Sequence, residues 1–189
     1  ECGRAISGVR GRKQFTDNLG DAPASYLKAL ALGACLMALG WVAYRFSLRW
    51  LLELQTVPGA VAAGGSALAW WVGVFIATAR RHIGDGTLPD KVLDSVWFRH
   101  VNRGVHSLWA VAVVAWVLCI RGTPPASQIA YYAANGLAIV ASFGLVTIAV
   151  HLACLSDWAG DTGLAERFRI SAWALAACQV IAQVGRLST

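Results

Sequence analysis

Charged side chains make up only 14% of the 189 residues, and acids are the scarcer sign, ten Asp and Glu against sixteen Lys and Arg. A soluble domain carries roughly 25% charge, so the plain soluble reading is excluded. The few acids also avoid the apolar stretches: none lies in 57–79, 105–120, 129–155 or 170–184. Ion-coupled transporters and proton channels usually hold an ionisable group at mid-depth, so an ion-translocating core is disfavoured. Enzyme signatures are missing too. There is no G-x-S-x-G, no H-E-x-x-H, no P-loop and no G-x-G-x-x-G, and no catalytic residue is assigned. The five cysteines form no C-x-x-C pair and their number is odd, which argues against both a disulfide framework and a metal site. Cys35, Cys119 and Cys178 fall inside apolar stretches, where a thiol acts as a small hydrophobe.

What remains is grease in blocks. Hydrophobic residues make up 57% of the chain, and about 20 apolar residues cross a hydrocarbon core of ~30 Å as a helix. The pattern predicts an all-α fold, a polytopic transmembrane helix bundle of about five spans at 26–44, 57–79, 105–120, 129–155 and 170–184. A basic polar tail, 1–25, precedes a transmembrane domain at 26–187. It holds no apolar run and is not a secretory signal; it reads as a cytoplasmic tail or the remainder of an organellar presequence. Residues 46–54 read as a helix continuing into the interface. Pro58 suits the first turn of the second span. An interfacial amphipathic helix is expected over about 90–103, with Asp90 as N-cap and Val92, Leu93, Val96, Trp97 and Val101 on one face, lying on the membrane or leading into the next span. The fifth span is the shortest; if it lies in the interface, four spans remain. Gly65, Ala69, Gly73 and Ala77 form a small-residue stripe that lets helix backbones approach closely in lipid. Asn135, Ser142, Thr147, Gln179 and Gln183 are expected to join helices. The nine Trp suit membrane–water interfaces.

The basic residues set an orientation. With five spans, one side collects Arg4, Arg10, Arg12, Lys13, Lys28, Arg80, Arg81, Lys91, Arg99, Arg103, Arg167 and Arg169, and the other only Arg45, Arg49, Arg121 and Arg186. This bias predicts the N-terminus inside and the C-terminus outside a mitochondrial inner or bacterial plasma membrane. The net charge of +6 flanks apolar segments rather than forming a solvated stripe, so no nucleic-acid partner is expected.

All four histidines, His82, His100, His106 and His151, map to the inner side. His82 and His100 sit beside arginines in a polar connection and need no function. His106 and His151 lie in or near the apolar layer, where imidazole can ligate haem iron. Their positions along spans three and four differ by nine residues counted from Pro124, roughly 13 Å along a helix, which tilt or loop path would have to absorb. A buried histidine with a hydrogen-bond partner is the plainer reading.

Asp157-Trp158-Ala159-Gly160-Asp161 resembles the Asp-Tyr…Gly-Asp stretch that follows the middle helix of the small anchor subunit of succinate dehydrogenase. Arg103 is loosely similar to that family's basic residue before its helix. The resemblance covers a handful of residues. It implies haem b or a quinone near the inner interface, held by His106 and His151 with Arg103, Asp157 and Trp158 toward the quinone or the haem propionates. Two features depart from it. Val146 stands where the family's haem histidine is expected, eleven residues before Asp157, while His151 is six before it, and two extra spans precede.

Three functions follow as expectations. The first is an accessory or structural subunit of a larger membrane complex, respiratory or photosynthetic, with the bilayer, bound lipids and other membrane subunits as partners. The second is a haem- or quinone-binding anchor of an oxidoreductase. The third is a small transporter or channel.

Overall fold

The computed structural model describes residues 22–80 and 90–187, with side chains through 179 and at 181. Residues 1–21 of the basic tail, His82 and the residues just before Asp90 lie outside the described residues, as does the side chain of Gln183. Five helices follow in order: α1 Ala24–Leu54, α2 Val57–Ala77, α3 Val96–Arg121, α4 Ala126–Trp158 and α5 Thr162–Leu187. No strand occurs among the described residues. The first four are long and apolar enough to cross a membrane. The chain is thus a multi-pass helical membrane protein with a fifth helix beside its four candidate spans.

Several expected boundaries move, each for a local reason. The first span and the 46–54 segment are one 31-residue helix. At roughly 1.5 Å per residue it outreaches the hydrocarbon core, and its end carries the exposed ion pair Arg49–Glu53. Of the expected 90–103 helix, residues 96–103 lead into the next span as the start of α3, while 91–94 form a turn. Asp90 does cap, since its Oδ1 accepts from Val92 N and Leu93 N at 2.7 and 2.9 Å, and its own N–H donates to Asp94 Oδ2. That reciprocal closure ends within one turn. Ser95 then caps α3, accepting from Phe98 N at 3.1 Å, and the helix runs unbroken for 26 residues. The expected fifth span at 170–184 widens to the 26 residues of α5, beginning at Thr162.

The chain divides into two compact units, 29–79 with 99–144, and the remainder. In the first, α1 and α2 form an antiparallel hairpin. The turn is only Gln55 and Thr56. Gln55 takes a left-handed φ of 50° to make it, and the Thr56 hydroxyl accepts from Gly59 N at 3.2 Å with Pro58 in the first turn. The buried face of α1 is Gly33, Met37, Gly40, Tyr44, Ser47 and Leu51, alternating four and three residues as a left-handed helix pair requires. Two glycines bring the backbones together. A Cβ on Gly40 would lie 2.6 Å from Trp70 N, and one on Gly73 2.7 Å from Met37 N. The expected small-residue stripe is therefore half right. Gly73 and Ala77 are buried in this seam, but Gly65 is exposed with nothing within 4 Å of its Cβ position. The seam continues instead through Trp70, Ala67 and Ala63.

Hydroxyls inside the spans are satisfied in their own helices. Ser47, Ser66, Thr78, Ser142 and Ser156 each donate to the carbonyl four residues back. Asn135 does the same toward Tyr131 O. Ser142 and Asn135 thus do not join helices through these bonds, contrary to expectation.

Candidate functional site

Aromatic rings from three helices meet in the first unit. Trp41 and Tyr44 come from α1, Trp70 from α2, and His106 and Trp109 from α3. Ring centroids lie 5.4 Å apart for Trp41–Trp70, 5.5 Å for Trp41–Trp109, 5.3 Å for Tyr44–Trp109 and 5.4 Å for Trp70–His106. Most are tilted or edge-to-face, the arrangement the ring quadrupoles favour. Helical spacing puts them there: Tyr44 lies on the buried stripe of α1, Trp70 on that of α2, and Asn102, His106, Trp109 and Val113 make the buried stripe of α3.

His106 is fully buried, and Trp70 Nε1 donates to its Nδ1 at 3.1 Å. Indole can only donate, so Nδ1 is the acceptor, and in the neutral ring the proton sits on Nε2. That nitrogen faces Gly144 of α4, where a Cβ would come within 3.3 Å of Nε2 and 3.1 Å of Cε1. The glycine is what lets α4 pass this close to the imidazole. Both ring nitrogens therefore face protein, and an axial haem iron on Nε2 would have to displace α4. The residues around His106 do not fit a haem in this packing. Trp109 Nε1 is buried without a hydrogen-bond partner among the described residues.

Arg103, expected near a quinone or propionate, closes the end of α2 instead. Its Nη2 donates to Phe75 O at 3.1 Å and Thr78 O at 3.3 Å, and its Nε donates to Thr78 Oγ1 at 3.1 Å. Its guanidinium lies over the Phe75 ring at 3.8 Å. These carbonyls belong to the last turn of α2, which has no further turn to bond them, and a cation there complements the helix dipole. Trp71 Nε1 fastens the same junction from the other side, donating to Arg103 O at 2.9 Å.

The other three candidates belong to the second unit. His151 is buried and stacks on Phe98, 6.4 Å between centroids and 18° between planes. Trp158 is buried edge-on against Tyr26 at 6.2 Å. Asp157 is paired with Arg169 of α5. The stretch carrying the resemblance is a helix-to-helix turn. Gly160 has φ 85°; Asp161 N bonds Ser156 O and Gly160 N bonds Asp157 O, each at 3.0 Å. This is the Schellman ending that glycine favours. Asp161 then caps α5, accepting from Leu164 N at 2.8 Å.

His106 and Arg103 thus share a unit with Trp70 and Trp71, which sequence reasoning did not single out. The available signal was position: Trp70 is three residues before Gly73, on the same face. Trp70, Trp109 and Trp158 are buried, while Trp50, Trp97 and Trp173 are exposed, so the interfacial expectation holds for only part of the tryptophan set. Among the described residues, no group of three His, Cys, Asp or Glu could hold a metal ion. No protein-family model, curated protein or solved structure matches this chain.

Proposed function

We propose that this chain is an accessory or structural subunit of a larger membrane complex. The observation that carries this reading is the surface of α5. The helix is the least apolar of the five, yet Ile170, Trp173 and Ile181 are exposed at 62%, 78% and 70%. With the exposed Ala177 between them, they fall on one helical face. The charges of the helix, Glu166, Arg167, Arg169 and Arg186, stand at its two ends, and an apolar stripe left open between them is suited to packing against another protein. The polar groups of the expected redox site support the same reading. Trp70–His106, Arg103–Thr78 and Asp157–Arg169 are each used in joining helices.

The test is the size and content of the native particle. Membranes carrying the tagged full chain are solubilised in a mild detergent and the particle is sized and its proteins identified. The expected result is a particle well above the 20.1 kDa chain plus its micelle, with other integral proteins in fixed ratio. Substituting Trp173→Ser and Ile181→Ser should release them while the helix content is kept. A lone monomer from native membranes would refute the reading.

A further inference from the structure

In the unit 29–79 with 99–144, a groove of about 560 Å³ runs between α2 and α3. Its walls are Ala60, Val61, Gly64 and Leu68 on one side and valines including Val114 and Val117 on the other. Such a volume falls within the roughly 300–1,000 Å³ of ligand clefts. From Ala60 to Leu68 the groove follows two turns of α2, roughly 12 Å. At Gly64 the wall carries no side chain, and nothing lies within 4 Å of where its Cβ would be.

One end of the groove is still mostly apolar, with Leu51, Val57 and Ile120, but it meets one cation. A second cavity of about 100 Å³ also touches Ala60 and Val117, and reaches Gln55, Thr56 and Arg121. The Thr56 hydroxyl is already engaged as the α2 cap. Arg121, at the last turn of α3, is exposed and has no acidic partner among the described residues. An apolar slot that opens onto an uncompensated guanidinium matches an amphiphile with an acyl chain and a net negative phosphate head. Guanidinium binds phosphate through paired hydrogen bonds as well as charge.

We propose that this groove is a specific site for one anionic glycerophospholipid, with an acyl chain along Gly64 and the phosphate on Arg121. The inference stands on the helices spanning a membrane and is independent of any partner protein.

The full chain, purified and stripped of lipid in detergent, is titrated with dioleoyl phosphatidylglycerol or dioleoyl phosphatidylcholine, and retained lipids are counted by native mass spectrometry. One phosphatidylglycerol should be retained roughly tenfold better than phosphatidylcholine, as expected for one charge-assisted phosphate contact. Arg121→Gln should remove that preference and leave the weaker retention common to both lipids. Gly64→Leu should lower retention of both, and Gly65→Leu should change neither. Because Arg121 is exposed, its variant decides the matter even if Gly64→Leu fails to fold. Equal retention of the two lipids by the unsubstituted chain, a preference that survives Arg121→Gln, or a dimer abolished by Gly64→Leu would each overturn the proposal, the last in favour of a second copy in the groove.

Discussion

An indole can give a hydrogen bond but never take one, and this fixes how the Trp70–His106 pair should respond to substitution. Trp70→Phe keeps an aromatic ring in the cluster but leaves Nδ1 of the fully buried His106 unmet. A buried hydrogen bond contributes about 0.5–1.5 kcal/mol, and cycles between helices in membranes average nearer ~0.6 kcal/mol. Trp70→Phe also shrinks the side chain, so the single variant mixes two losses. The double variant with His106→Leu isolates what the two side chains share, the bond and the edge-to-face ring contact beside it. Unfolding in mixed detergent should show the pair coupled by about 0.6–1.5 kcal/mol, and additivity within about 0.3 kcal/mol would mean that neither the bond nor the ring contact contributes. The sequence pointed to His106 as a residue of the apolar layer, and an apolar run around a lone histidine is sufficient for that. Its partner lies 36 residues away in the chain, and no local pattern encodes which indole faces which imidazole. Arg103 was misleading for a related reason. An arginine before a span looks like a ligand-binding cation, whereas the carbonyls it serves at Phe75 and Thr78 become visible only when α2 and α3 lie side by side.

Helices in lipid gain little from hiding apolar surface, because lipid tails are apolar too, so their contacts depend on how closely the backbones fit. The α1–α2 hairpin puts that dependence at two glycines. Alanine at Gly40 or Gly73 would drive a methyl to within 2.6–2.7 Å of backbone nitrogen on the facing helix, and backbone cannot swing aside as a side chain can. Each substitution should cost about 1–3 kcal/mol, the usual penalty of overpacking. Gly65→Ala, which meets nothing within 4 Å, should instead be neutral or slightly stabilising, since alanine is the better helix former. The same unfolding measurement on the three variants checks the ordering, and equal tolerance at all three positions would remove the close-packed seam. Helix existence was legible from apolar run length, and Pro58 from its place in a first turn. The stripe was legible only in part: a four-residue repeat drifts around a helix of 3.6 residues per turn, so it tracks the seam at Gly73 and Ala77 and has left it by Gly65. The Asp157–Asp161 stretch makes the complementary point. A glycine that ends α4 and an aspartate that starts α5 are demanded by turn chemistry alone, so a few shared residues of this kind carry little about a cofactor.

For the whole chain, hydropathy limits the number of crossings to four or five, and the fifth helix decides between them because the two alternatives leave the ends on the same or on opposite sides. The arginine bias favours five, whereas among the described residues α1 to α4 are the candidate spans and α5 is the least apolar helix. Helix α4 sets the frame for resolving this. Its 33 residues extend roughly 50 Å, well beyond a ~30 Å hydrocarbon core, so the turns at its two ends belong on opposite faces of the membrane. In a chain whose native cysteines have been replaced, a cysteine at Thr123 and one at Ala159 should therefore react with an impermeant maleimide from opposite sides of sealed vesicles. Labelling of both from one side would mean that α4 does not cross. With that reference fixed, a cysteine at Thr189 distinguishes the alternatives. Reaction from the Thr123 side means that α5 crosses and that the arginine bias set the topology. Reaction from the Ala159 side means that α5 stays on the face where α4 ends, with Trp173 and Ile181 turned toward a neighbouring subunit or the interface. The charge bias predicts the first outcome, and the two glutamines of α5, Gln179 and Gln183, weigh toward the second. We expect the first, because no charged residue lies in 170–185, where Ser171, Gln179 and Gln183 are the polar side chains, and the arginines stand at the ends of the helix.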